Sequence, residues 1–95
     1  KNTKIIIMKI SDIKVVKKYS PRLRLNRATI ARYKELYKLG EKLPPLVVQK
    51  DKHILIDGFH RIEALKQLEK ETTEVVFLDI PESEILEESI RWICQ

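Results

Sequence analysis

The junction at Gly58 constrains this chain most, because an apolar segment stops there and a basic, helix-forming segment begins. Residues 54–56 are all apolar and predict a buried strand, whereas residues 59–68 favour a helix. Only two glycines occur in 95 residues, so this one is expected to meet a backbone need, either a positive φ or a close approach. A strand that turns into a helix exposes N–H groups, and His60 and Arg61 add charge. The junction therefore predicts a phosphate site, with a plain strand-to-helix turn as the alternative.

Short elements of alternating type surround this junction. A β-branched run predicts a strand over residues 5–10, and helical spacing after a plausible N-cap at Asn26 predicts a helix that ends at Gly40. Further along the chain, the patterns predict a β-hairpin from residues 46–49 and 53–56, a strand over residues 74–80 and a helix from about residue 82.

Length and composition predict one small domain over residues 1–95, as a fragment of a longer chain. The hydrophobic fraction of 43% suits a single modest core. The single cysteine, Cys94, excludes an internal disulfide and fits the reducing cytosol. No segment approaches the roughly 18 apolar residues of a membrane span, so we expect a cytoplasmic protein. Abundant Lys, Glu and Ile with few Asn and Gln suggest a thermophilic source.

The charge of the chain is unevenly distributed. The formal net charge is +5, with Lys and Arg concentrated before residue 43 and acidic residues richer after residue 62. A basic half favours polyanions through counterion release. The alternative is a solvated face in a chain that is 35% charged.

Four motifs, in order, resemble those of the ParB/sulfiredoxin superfamily, in particular the N-terminal domain of ParB-type partition proteins. Residues 20–22 are similar to its Pro-Arg motif, and residues 43–48 to its proline-containing entry into the central strand. Residues 58–64 resemble its GERRxRA box and residues 87–91 its ENxxR motif. The resemblance implies an α+β fold with a small mixed β-sheet and flanking helices.

The resemblance also implies a site for CTP and magnesium. The implied phosphate- or nucleotide-binding residues are Arg22, Gly58, His60, Arg61, Glu87 and Arg91. The chain departs from the family pattern at Phe59 and His60, which replace the glutamate and the first arginine of the box, and at Glu88, which replaces an asparagine. A carboxylate at position 88 is a hard oxygen donor, and Glu88 is therefore a candidate magnesium ligand.

A ParB-type domain is expected to act as an adaptor in DNA partition. The resemblance implies self-association and spreading on DNA, recruitment of a partition motor ATPase, association with the nucleoid or a plasmid, and no membrane partner. Helix-turn-helix base recognition is not evident in the sequence. We therefore expect non-specific contacts to DNA phosphates. The candidate DNA-backbone residues are Arg22, Arg24, Arg27 and Arg32.

Related activities remain as alternatives, although the sequence favours a binding domain over an enzyme. Sulfiredoxin chemistry is excluded because Phe59 stands where its catalytic cysteine would be. The free serine kinases of the superfamily have an Asp-Gly-x-His-Arg turn very similar to residues 57–61, which makes Asp57 a candidate general base. The competing role for Asp57 is a helix cap. CTP hydrolysis is open, and a nuclease is the weakest alternative because no paired-carboxylate site can be assembled.

Overall fold

The structure, a computed structural model, describes residues 4–19 and 25–93, the last two of them by backbone alone. Its strands are β1 (Ile5–Lys9), β2 (Leu46–Gln49), β3 (Leu55–Asp57) and β4 (Thr72–Leu78). Its α-helices are α1 (Arg27–Lys38), α2 (Phe59–Gln67) and α3 (Ile85–Ile93). Every predicted element is present, although β4 lies two residues earlier than expected and a short 3₁₀ turn, Glu82–Glu84, precedes α3.

The four strands form one mixed sheet in the order β1-β4-β2-β3. β2 runs parallel to β4, whereas the β1–β4 and β2–β3 pairs are antiparallel. A parallel pair needs a crossover connection, and α2 is part of the one between β2 and β4. The sheet and its helices confirm the expected α+β architecture.

Each face of the sheet has its own core, because both faces are covered. All four residues of β2 are buried. Leu46 and Val48 pack with Ile62 and Leu65 of α2, and Val47 packs on the other side with Ile85 of α3. Alternate β2 side chains therefore point to opposite layers, and the helices α2 and α3 lie on opposite faces. No helix within residues 4–19 and 25–93 combines the length and the apolar character needed to cross a membrane.

The ends of α1 follow the local rules that predicted them. Asn26 is the N-cap, and its Oδ1 accepts hydrogen bonds from the backbone N–H groups of Ala28 at 2.8 Å and Thr29 at 3.3 Å. At the other end, Gly40 has a φ of +79°, and its N–H donates to the carbonyl of Tyr37 at 3.1 Å. This arrangement is the left-handed cap that glycine favours.

The C-terminus of α2 has the same type of cap without a glycine. Glu69 has a φ of +59° and its N–H donates to the carbonyl of Lys66, while the N–H of Lys70 donates to the carbonyl of Leu65, both at 3.0 Å. These two bonds define a Schellman motif. A non-glycine residue at this position carries a conformational cost.

Candidate functional site

Gly58 connects β3 to α2 in a conformation that favours glycine. Its φ is +105° and its ψ is 31°. A Cβ atom at this position would lie 2.4 Å from Cδ2 of Leu46 and 3.4 Å from Nη2 of Arg61. Both reasons that the sequence gives for a glycine, a positive φ and a close approach, are therefore present. The group that approaches closely is the side chain of Leu46 in the neighbouring strand β2.

The first turn of α2 has no side-chain cap in the described part of the chain. Gly58 is the N-cap and offers no side chain, and the first turn contains no acidic residue. The N–H of Ile62 closes the first helical turn by donating to the carbonyl of Gly58 at 2.8 Å. Among the described residues no side chain caps the N–H groups of Phe59, His60 and Arg61. Uncapped amides at the positive end of a helix attract negative charge.

His60 brings the start of α1 to this turn. Its Nε2 accepts a hydrogen bond from the backbone N–H of Asn26 at 3.1 Å, so this nitrogen carries no proton and a neutral ring holds its proton on Nδ1. The side chain is half-buried. Because Asn26 caps α1, the beginnings of α1 and α2 meet at this imidazole.

Arg61 is buried and bonded within the fold. Only 9% of the residue is exposed. Its Nη2 donates to Oδ2 of Asp57 at 3.0 Å, and its Nη1 donates to the carbonyl of Pro45 at 3.2 Å and to that of Pro44. The guanidinium therefore joins the end of β3 to the segment that enters β2. Its contact with phosphate stays a prediction.

The Asp57 carboxylate is the other half of this pair. Its side chain is 23% exposed. Its carboxylate bonds to Arg61, and no side chain provides a cap hydrogen bond at the start of α2. Asp57 thus stabilises the turn by an ion pair rather than by helix capping. The catalytic role of this carboxylate stays a prediction.

Phe59 occupies the box position that holds a glutamate in the family pattern. The residue is 8% exposed and belongs to the core between the sheet and α2. An apolar side chain here adds packing and removes a carboxylate from the neighbourhood of the turn. Because a carboxylate at this position would repel an anion, the start of α2 attracts anions more strongly with phenylalanine than with glutamate.

The last predicted motif lies on α3, on the opposite face of the sheet from α2. Glu87 and Arg91 are exposed, and Nη1 of Arg91 donates to Oε2 of Glu88 at 3.2 Å. Ser89 of α3 is fully buried and donates its hydroxyl to the carbonyl of Ile85 in the same helix at 2.9 Å. Within the described part of the chain, no three His, Cys, Asp or Glu side chains gather to hold a metal ion. The magnesium role of Glu88 stays a prediction.

Two of the four candidate DNA-backbone residues can be located. Arg27 and Arg32 are exposed on α1, whereas Arg22 and Arg24 lie outside the described residues, as does Cys94. Arg27 and Lys34 line a shallow hollow of about 370 Å³ beside α2. The start of α1 therefore carries exposed positive charge next to the residue that contacts His60.

Sequence reasoning missed the partners that hold the turn. The carbonyls of Pro44 and Pro45, the N–H of Asn26 and the side chain of Leu46 come from segments distant in sequence. The only available signal was the i,i+4 spacing of Asp57 and Arg61, which suits an ion pair where a strand leads into a helix.

Comparison with known proteins identifies the fold. No protein-family model and no curated protein matches the sequence. Among solved structures, a pNOB8-like ParB N-domain is 15% identical over 97% of this chain and 36% of its own, with a TM-score of 0.79. The C-terminally truncated ParB from Caulobacter crescentus, complexed with CTP-γ-S, is 15% identical over 95% of this chain and 52% of its own, with a TM-score of 0.81.

Sulfiredoxin from Arabidopsis thaliana is also similar, at 13% identity over 90% of this chain and 96% of its own, with a TM-score of 0.68. The chain has the ParB/sulfiredoxin-like fold. This ParB/sulfiredoxin-like domain spans about a third to a half of the length of the ParB chains that it matches.

Proposed function

We propose that this domain binds the phosphates of a nucleotide at the N-terminus of α2 and that it prefers CTP to other nucleotides. The observation that carries the proposal is the uncapped first turn of α2 beside the His60 imidazole. Amide groups at the positive end of a helix and an imidazole donor form a suitable environment for a triphosphate. The fold shared with a ParB that is complexed with CTP-γ-S supports the choice of nucleotide.

The residues of the site divide into two roles in this proposal. The N–H groups of the first turn and Nδ1 of His60 face the phosphates. Asp57 and Arg61 fix the turn through their ion pair and the proline carbonyls. Arg61 uses three of its five N–H groups in its present bonds, so two N–H groups remain, and it also remains a candidate phosphate donor.

Three further residues are candidates for the nucleotide site on the resemblance alone. Glu87 and Arg91 lie on α3, on the opposite face of the sheet from α2, and Arg22 lies outside the described residues. Magnesium commonly uses one or two carboxylates together with substrate phosphates and water. Glu88 is the proposed protein ligand of the magnesium ion, which would neutralise negative charge on the phosphates when bound.

In the cell, we propose an adaptor role in DNA partition, with self-association on DNA and contact with a motor ATPase. The exposed Arg27 and Arg32 on α1 support the DNA part of this proposal, and Arg22 and Arg24 would add to it. Contacts of this type are made to phosphates and carry no base specificity. We expect the domain itself to bind DNA weakly and with strong salt dependence.

A calorimetric titration with CTP, ATP and ADP, each with magnesium, tests the nucleotide proposal. The informative variant is His60→Ala, and His53→Ala is the matched control because His53 lies in the β2–β3 loop, where its ring stacks on Phe77. We expect saturable CTP binding that is weakened at least tenfold by His60→Ala and unchanged by His53→Ala. No binding of any nucleotide, or equal weakening by both variants, would overturn the proposal.

The same titration separates the kinase alternative. A preference for ATP, followed by phosphate transfer to free serine that is lost in Asp57→Asn, would place the domain with the free serine kinases. The motivating observation is that the partly exposed Asp57 carboxylate lies directly before the phosphate-binding turn. CTP preference without transfer would exclude this activity.

A further inference from the structure

We propose a second phosphate-binding site at the opposite end of α2, in a hollow surrounded by Lys9, Lys66 and Lys70. The hollow has a volume of about 590 Å³. Lys66 lies in the last turn of α2, and a nine-residue helix is about 12 Å long between its first and last residues. The hollow is therefore separate from the Gly58 turn and does not depend on the nucleotide proposal.

The three lysines reach this hollow from three separate elements. Lys9 ends β1, Lys66 belongs to α2 and Lys70 lies in the turn that leads to β4. These elements are joined at the hollow by the N–H of Ile10, which donates to the carbonyl of Glu71 at 2.9 Å. The tertiary fold thus brings Lys9 of β1 beside Lys66 and Lys70, which are four residues apart at the end of α2.

The charges in the hollow are unbalanced. Three lysines line it, whereas Glu71 is the one acidic residue in the described lining. Within residues 4–19 and 25–93, none of the three lysines forms a salt bridge. Like charges placed around a common space repel, and an anion bound between them relieves that repulsion.

Capping of α2 does not account for these lysines. Lysine side chains near a helix C-terminus often bind the last carbonyls. Here three of the last carbonyls already accept backbone N–H groups at 3.0 Å: Leu68 donates to Ala64, Glu69 to Lys66 and Lys70 to Leu65. The ammonium groups are therefore available to an external ligand.

The lining of the hollow combines apolar surface with polar side chains that can bind a phosphate group. Ser11 and Thr72 contribute hydroxyl groups, and Thr72 lies directly across from Lys9 in the β1–β4 pair. Ile10, which is 4% exposed, provides an apolar floor. Ammonium and hydroxyl donors around an open hollow match the oxygens of a phosphate, whether it belongs to a small phosphorylated molecule or to the backbone of DNA.

Matched triple variants test this site in the complete 95-residue chain. The first combines Lys9→Gln, Lys66→Gln and Lys70→Gln. The control removes the same charge from exposed lysines that do not line this hollow: Lys4→Gln, Lys38→Gln and Lys50→Gln. All six side chains are exposed, so both variants are expected to fold, which circular dichroism checks.

The readout is the amide spectrum of the protein in titrations with inorganic phosphate and with a short DNA duplex. We expect saturable shifts of the Ser11 and Thr72 amides that persist in the control and disappear in the first variant. If DNA is the ligand, the slope of log affinity against log salt falls by up to about 0.9 per lost phosphate contact, and more in the first variant than in the control. Shifts with phosphate alone identify a small-molecule site. No shift with either ligand, or equal losses in both variants, overturns the proposal.

Discussion

Replacing Gly58 with alanine would strain the turn in two ways at once. A non-glycine residue in the left-handed region costs about 1–2 kcal/mol, and the φ of Gly58 is +105°. The new Cβ would also lie 2.4 Å from Cδ2 of Leu46, which is fully buried. Overpacking of a core typically costs about 1–3 kcal/mol. We therefore expect Gly58→Ala to lower the free energy of unfolding by about 2–5 kcal/mol, a large part of the roughly 5–14 kcal/mol of a domain this size.

Urea unfolding followed by circular dichroism measures this loss. With a slope of about 1–2 kcal/mol per molar urea, the midpoint should fall by about 1–5 M. Gly40→Ala is the matched control, because Gly40 has a φ of +79° and a Cβ there would meet nothing within 4 Å. The control should lose only the backbone cost of about 1–2 kcal/mol.

The difference between the two glycine variants isolates the contact with Leu46. Equal midpoint shifts would show that the Leu46 side chain moves aside at no cost and would refute the packing argument. The double variant Gly58→Ala with Leu46→Ala supplies an independent check. If the two residues touch, the double variant should lose less free energy of unfolding than the sum of the losses in the two single variants.

Three further predictions concern single contacts outside this pair. Glu69→Gly should raise the free energy of unfolding by about 1 kcal/mol in the same assay, because glycine adopts the left-handed cap without strain. Glu69→Ala should give no such gain, and equal gains in both variants would show that loss of the Glu69 charge is the cause. Glu82→Gln should lower the pKa of Tyr19, which the hydrogen bond to the Glu82 carboxylate raises, in a tyrosine NMR titration where Glu84→Gln changes nothing. The stability gained from Tyr19 is present below the ordinary tyrosine pKa and is lost as pH rises through the raised value, so that loss should vanish in Glu82→Gln. Arg61→Ala should lower the free energy of unfolding by about 2–4 kcal/mol, because it leaves the Asp57 carboxylate and the proline carbonyls without their charged donor. Arg61→Lys should cost less. A loss under about 1 kcal/mol in Arg61→Ala would show that these bonds do not stabilise the fold.

The elements were predictable where the decisive signals are local. Asn26, Gly40 and Gly58 act on the backbone within a few residues of themselves, and each marks a helix end that the structure has. The apolar run of β2 predicts a strand because it is buried on both faces. The sequence pattern predicts the start of β4 too late, because Thr72 and Thr73 carry no apolar signal and are paired with β1.

The chemistry of the turn was less predictable because its partners come from afar. The bond between His60 and Asn26 joins residues 34 apart, and the bonds of Arg61 to the proline carbonyls join residues 16 and 17 apart. No periodicity reports such contacts. Phe59 is a core residue at a position where the family pattern suggests a site residue, and only the packing against the sheet reveals this.

The bonds of Arg61 decide which variant can identify a phosphate contact. Loss of nucleotide binding in Arg61→Ala would not show that the guanidinium touches phosphate, because the same change releases Asp57 and the proline carbonyls that hold the turn. His60 is only half-buried, and its bond is one N–H of Asn26. His60→Gln can keep an acceptor for that N–H while it removes the imidazole. If His60→Gln keeps the stability of the domain and loses CTP, the imidazole itself binds the ligand; if it keeps both, the amides of α2 suffice.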